Sequence, residues 1–263
     1  MKSDINVAII EDDLYSLNWM SLLLVRDWRT RVIAEVSNQK QLNEFIKDDR
    51  IHLDIVLMDV NIFGNTFNFE ETCAEFNDMQ RDFKVLCIGC QADKKAFRYL
   101  DQEKFSGFIL KQEIGYSLGW AISFAAEGAF LLTPSTLALA HGLGFSVPAD
   151  KLVLSGRSQF PGITDRESEV ARLAIIFSLG RRDLADELKI SDQWGYGLVS
   201  ELYTKLGLGD LFTGKMDLQT YFGDNAIIQS HIDEIISQLG PSKKARDLET
   251  LAFHLLTMPD FED

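Results

Sequence analysis

Cysteine is nearly absent from this chain. Its three cysteines, Cys73, Cys87 and Cys90, are odd in number and far too sparse for a disulfide scaffold. Cys87-Ile88-Gly89-Cys90 has C-x-x-C spacing, but a redox pair needs its first thiol at a helix N-terminus, where the thiol pKa falls. This pair closes an apolar run and reads as two small residues at a strand end. No zinc-ligand spacing accompanies it. Long apolar runs are missing too: none approaches the roughly 20 residues that span a bilayer. The opening MKSDINVAII places one lysine and one acid ahead of a strand and does not read as a signal peptide. The expected compartment is the cytoplasm, with no membrane partner. Positive charge is short, 26 Lys+Arg against 40 Asp+Glu, a net charge of −14. That balance argues against indiscriminate nucleic-acid binding and leaves room for a local basic patch. A nucleophile–base pair and a phosphate-binding glycine loop are also lacking, so the chain is not expected to be an enzyme.

What is present is a set of three apolar runs that end in charge. Val7-Ala8-Ile9-Ile10 leads into Glu11-Asp12-Asp13, Ile55-Val56-Leu57-Met58 into Asp59, and Phe108-Ile109-Leu110 into Lys111. Each run reads as a buried parallel strand. The carboxyl edge of such a sheet is where open α/β folds bind ligands. Acids and one lysine gathered there suit a divalent cation and a phosphoryl group.

Strands are predicted at 5–10, 32–36, 54–58, 84–88 and 107–110. Helices are predicted at 14–28, with Leu17, Met20, Leu24 and Trp28 on one face, at 38–48, and at about 68–80, 93–103 and 113–128. Strands alternating with helices predict an α/β doubly wound domain with a five-stranded parallel sheet over residues 1–132. Residues 133–160, with Pro134, Pro148 and the neighbouring Pro161, read as a linker. Thr164 with Glu167 forms a capping-box signature that opens an all-α helix-turn-helix domain at 161–210. Residues 211–263 carry two apolar stripes, Ile227 to Leu239 and Leu248 to Leu256, separated by Gly240-Pro241. They predict a helical hairpin that either folds back on 161–210 or makes a homodimer contact.

With these motifs in view, residues 3–210 resemble two-component response regulators of the NarL/LuxR type. VAIIEDD is similar to that family's acidic-pair strand, LDIVLMDV to its phosphoacceptor strand and GFILK to its lysine strand. The resemblance implies Asp59 as phosphoacceptor, magnesium held by Glu11, Asp12, Asp59 and the backbone carbonyl of Asn61, Lys111 as the phosphoryl-neutralising cation, and Phe108 as the switch aromatic. Hard oxygen ligands suit magnesium, and charge neutralisation is what a carboxylate needs to attack a phosphoryl donor. Two positions depart from the family. Gly89 stands where a Thr or Ser hydroxyl is usual, and Phe63-Gly64 where a proline is usual.

In the second half ITDRESEVARLA, DLADELKIS and LVSELYTKLGL resemble the family's DNA-binding helices. The resemblance points to Arg181, Arg182, Lys189, Ser191, Trp194, Tyr196 and Lys205 as DNA-facing candidates. Trp194, Gly195, Tyr196, Gly197 and Leu198 replace the residues the family uses at the start of its groove-binding helix. Residues 161–210 hold six Lys/Arg against nine Asp/Glu, whereas a groove-binding face is normally basic. The bland reading of Trp194 and Tyr196 is packing against a neighbour such as the C-terminal hairpin. The implied partners are a sensor histidine kinase, promoter DNA and a second copy of the chain. The rival expectation is a signalling adaptor whose altered helix-turn-helix and hairpin bind protein rather than DNA.

Overall fold

The computed structural model describes residues 4–48, 50, 52–60, 68–157, 159, 160, 162–212, 226–239 and 245–262. The chain forms two compact units, Met1–Arg157 with Thr257–Asp263, and Ser158–Leu256.

The first unit opens with β1 (Ile5–Ile10), α1 (Leu14–Arg26), β2 (Thr30–Val36), α2 (Gln39–Lys47), β3 (Ile55–Asp59), α3 (Phe69–Asp78), β4 (Lys84–Gly89) and β5 (Phe105–Leu110). These strands lie in the order β2-β1-β3-β4-β5, all parallel. Val7 to Ile10 and Ile55 to Met58 are completely inaccessible, because continuous apolar runs suit strands covered on both faces. α1 starts where the Asp13 carboxylate accepts the Ser16 N–H at 2.7 Å, and it buries Leu17, Met20, Leu23 and Leu24. The predicted helix at 93–103 is only a short 3-10 turn, Ala96–Arg98. There the Asp93 carboxylate accepts the Lys95 N–H at 2.8 Å, a local bond that competes with the helical ladder. The predicted helix at 113–128 is divided into α4 (Lys111–Ile114) and α5 (Leu118–Ala126) by Gly115 at φ 50°.

The α/β class is as expected, but among the described residues the sheet has eight strands rather than five. Residues 133–160, expected as a linker, contain α6 (Pro134–Leu143) and β7 (Leu152–Gly156), preceded by the short β6 (Leu131–Leu132). Pro134 is not a loop signal here. It occupies the first turn of α6, where its missing N–H costs nothing. β6 pairs with β5 and β7 with β6, both parallel. The β5–β6 approach depends on Gly107, which has φ 123°; a Cβ there would lie 1.9 Å from the Leu131 carbonyl oxygen. The last strand, β8 (Pro259–Glu262), is antiparallel to β7, with Gly156 opposite Pro259 and Val153 opposite Glu262. Arg157 Nε sits 2.8 Å from Asp260 Oδ1, and the Phe261 ring meets Phe124 edge-on at 5.8 Å. The end of the chain therefore belongs to the first unit, not to a terminal hairpin, and the helical unit is an insertion between β7 and β8.

A buried ion pair braces the helices behind this sheet. Arg29 binds Asp27 through two nitrogens, at 2.9 and 2.7 Å, and its guanidinium stacks 4.4 Å over Trp120. Gly119 makes room for it, since a Cβ there would lie 2.4 Å from Asp27 Oδ2.

The second unit contains α7 (Asp165–Ala171), α8 (Arg181–Leu188), α9 (Asp192–Lys205), α10 (Leu208–Phe212), α11 (Ala226–Leu239) and α12 (Ala245–Leu256). Thr164 and Glu167 form the expected capping box. Past Ala171 the helix widens into a π turn, with Phe177 N–H bonded to the Arg172 carbonyl at 2.9 Å. Val170, Ala171, Leu184, Leu188 and Leu202 form its core. The C-terminal stripes are consumed inside the unit: Ile228, Ile232, Ile235, Leu251 and Leu255 are buried in the single chain. Those residues are thus unavailable as the homodimer contact, and the fold-back arrangement is the one adopted. Gly240-Pro241 lies outside the described residues.

Candidate functional site

The register of the sheet brings the three charged strand ends together. Ile10 pairs with Met58, Asp59 with Ile88 and Gly89 with Leu110, so Glu11, Asp59 and Lys111 emerge at one edge. Lys111 Nζ donates to Glu11 Oε2 at 2.5 Å and lies 2.5 Å from Asp59 Oδ2. Glu11 and Asp59 are each only 2% exposed. Asp12 is half-buried next to them, and Asp13 faces solvent as the cap of α1.

The electrostatics follow from burial and crowding. Burial first, and the negative charge of Asp59 second, raise the Glu11 carboxyl to about 7, against the opposing hydrogen bonds from Lys111 and the Asp13 N–H. For Lys111, burial disfavours the charge, but Asp59 and then Glu11 outweigh it and hold the ammonium above the usual lysine range. Two buried carboxylates at one sheet edge repel unless a cation lies between them, and Lys111 occupies that position. Among the described residues no three acidic, cysteine or histidine side chains converge as a metal cage. Magnesium does not require one, since it binds through one or two carboxylates and keeps its waters. The hard oxygens of Glu11, Asp12 and Asp59 fit that demand. The Asn61 carbonyl, and Phe63-Gly64 after it, lie outside the described residues.

Phe108 sits in a different setting from that of an edge-strand aromatic. Its backbone is paired with Cys87 on one side and Leu132 on the other. Its side chain is fully buried, and the ring packs edge-on against Phe97 at 6.1 Å. Its carbonyl accepts the Thr136 hydroxyl at 2.8 Å, while the Thr133 hydroxyl accepts the Leu110 N–H at 3.2 Å. These two buried threonines were missed by sequence reasoning. Thr133-Pro134-Ser135-Thr136 does carry a helix-start signal, but in a proline-marked stretch it passes for a loop. Gly89 is buried at the end of β4 and brings no hydroxyl, and the neighbouring Cys90 is exposed.

In the helical unit Arg181, Arg182 and Lys189 are exposed, and Ser191 caps α9 by accepting the Trp194 N–H at 3.2 Å. Arg181 stacks 3.7 Å over the ring of Tyr196. Trp194 is 61% exposed and Tyr196 45%, so neither is packed away against the C-terminal helices. Lys205 stands apart from this group. Its Nζ is 2.5 Å from Glu167 and 3.9 Å from Glu201, which makes it a brace between α7 and α9. A cleft of about 460 Å³ opens between Leu179, Arg181, Tyr196, Val199, Tyr203 and Glu249.

No protein-family model matches the chain, and no curated protein matches it. Among solved structures it is similar to RcsB from Salmonella enterica serovar Typhimurium bound to promoter rprA with the phosphomimetic BeF3−, at 18% identity, covering 78% of this chain and 93% of that one, TM-score 0.43. It is also similar to the isolated REC domain of that RcsB, at 16% identity, covering 52% of this chain and 99% of that one, TM-score 0.44. A third similarity is to ChrA, the response regulator of a heme-sensing two-component system, at 22% identity, covering 78% and 90% of the two chains, TM-score 0.40.

Proposed function

We propose that the chain is a response regulator that accepts a phosphoryl group on Asp59 and acts through its helical unit on promoter DNA. The carrying observation is the half-buried Lys111, whose Nζ is 2.5 Å from both Glu11 and Asp59 at the carboxyl edge of the sheet. A sensor histidine kinase, or a small phosphodonor, supplies the group. An Asp59 carboxylate oxygen forms the new bond to phosphorus as the donor's P–N or P–O bond breaks and its electron pair leaves with the donor. Lys111 offers a compact positive charge beside Asp59 and to the incoming phosphoryl oxygens. Glu11 and Asp12, with Asp59, would hold magnesium, which when bound supplies further neutralisation of phosphoryl charge.

The signal takes a different route from the one that a hydroxyl at the end of β4 and a free aromatic on β5 would provide. Gly89 offers no hydroxyl, and Phe108 is confined between β4 and β6. Lys111 is the first residue of α4, and α4 packs on β7, the strand that leads into the helical unit. Displacing Lys111 from Glu11 is the move that biases this path.

Intact-mass measurement after incubation with acetyl phosphate and magnesium tests the reading. One phosphoryl adduct is expected on the wild type and none on Asp59→Ala; the same mass for both proteins sinks it. DNA binding is tested by a gel shift on the DNA upstream of the chain's own gene, at stated salt. A protein-binding adaptor is the second reading. It is favoured by the exposed Trp194, the cleft beneath Tyr196 and the excess of acids over 161–210. Absence of any shift at low salt decides for it.

A further inference from the structure

Phosphoryl transfer at the sheet edge makes no use of the cleft in the helical unit. Its volume, about 460 Å³, is typical of small-ligand sites. Leu179, Leu184 and Val199 give it an apolar wall, and Tyr196 and Tyr203 add two rings. Among the described residues, its lining carries two carboxylates, Asp192 and Glu249, against one guanidinium, Arg181.

Three departures from ordinary helix structure border this space. Ala174, on the lining, belongs to the π turn Arg172–Ile176, and such turns gather at functional sites. Ser178 follows with φ 53°, a conformation that residues other than glycine seldom take and that recurs at ligand clamps. Its hydroxyl donates to Glu249 Oε1 at 3.0 Å, which fixes that carboxylate on the lining. Gly195 is buried in the first turn of α9 and also lines the cleft. Glycine weakens a helix relative to alanine, yet nothing in the backbone demands it here. A Cβ would meet nothing closer than Ile190 Cδ1 at 3.8 Å, so there is room for a side chain that the sequence does not supply.

We propose that the cleft binds a small organic cation, an amine carried on an apolar body. The apolar wall takes the body, and the carboxylates of Asp192 and Glu249 attract the charge. An aromatic face favours a cation as well, and the Arg181 guanidinium, 3.7 Å over Tyr196, already uses one in this way. An organic acid would meet two carboxylates for one guanidinium. The ligand's charge has the sign of Arg181, so the two compete for the ring of Tyr196.

The site is independent of the phosphoacceptor reading, and Asp59→Ala should bind the ligand as the wild type does. Calorimetric titration of the full chain, taken to millimolar probe, compares three probes with one body: 4-phenylbutylamine, 4-phenylbutanol and 4-phenylbutanoate. The amine is expected to bind at one site, about tenfold tighter than the alcohol, with the acid weakest. Glu249→Gln should weaken the amine several-fold and leave the alcohol unchanged. Arg181→Ala should tighten the amine, because it removes the competing cation. Gly195→Leu should abolish binding, with the helical circular dichroism of the protein retained as the check on folding. The probe series and the other two variants decide the matter even if that variant unfolds. Equal affinity for all three probes, preference for the acid, weaker amine binding in Arg181→Ala, or undiminished binding in a folded Gly195→Leu would each overturn the proposal. So would no binding of any probe, which leaves the cleft to a protein side chain.

Discussion

The α/β unit and the helical unit differ in what surrounds their charges. At the sheet edge Glu11 and Asp59 are buried and both in contact with the half-buried Lys111. In the helical unit the helices and caps are in place, yet among the described residues the exposed cations are few, and one candidate, Lys205, is engaged by Glu167. Burial makes the first arrangement sensitive to any change, since a buried carboxylate without its cation is costly. Exposure leaves the second free to vary, since surface charges contribute little to stability.

The sharpest way to break this contrast is to damage the sheet. Gly107→Val places side-chain atoms against the Leu131 carbonyl and is expected to cost more than about 4 kcal/mol in urea unfolding, with loss of the β5–β6 pairing. Asp27→Ala removes the carboxylate that Arg29 binds through two nitrogens and is expected to cost about 3–4 kcal/mol. Replacing Asp27 and Arg29 together with apolar residues should recover much of that. Ending the chain at Leu256 removes β8 and the buried Met258. It should destabilise the α/β unit by about 2–3 kcal/mol, seen as faster amide exchange in β7, with the core of the helical unit unaffected.

The remaining tests act on the helical unit and have smaller effects. Arg181→Ala should leave stability within about 0.5 kcal/mol. If DNA is the partner, it should lower the salt dependence of binding by about one ion; an unchanged slope removes Arg181 from the interface. Glu167 is held at about 2 by Lys205 first, then by Thr164's N–H and hydroxyl. Because this folded-state value lies below the unfolded one of about 4.3, the stabilisation is present above that value and is lost as pH falls toward 2. Lys205→Met should flatten this part of the stability–pH curve, and an unchanged curve would remove the pair from the account.

Much of this organisation was legible in the sequence because it is local. Apolar runs ending in acids or lysine marked the strands and their carboxyl edge, and the Thr164–Glu167 box marked the start of α7. The misread parts share a physical cause. β6 has two residues and β8 four, too short for any periodicity, and Pro134 signals a loop or a helix start equally well until its neighbours are known. The Asp27–Arg29–Trp120 brace joins residues that no local pattern relates.

By itself the sequence determined the strand ends, the caps and the order of elements, all set by a few neighbouring residues. Only the tertiary structure decided that Phe108 lies in an interior strand, that the chain end returns to β7, and that the C-terminal stripes are spent within one chain. Those outcomes depend on pairing between segments a hundred residues apart, where the energy comes from burial and hydrogen bonds that no short stretch of chain contains.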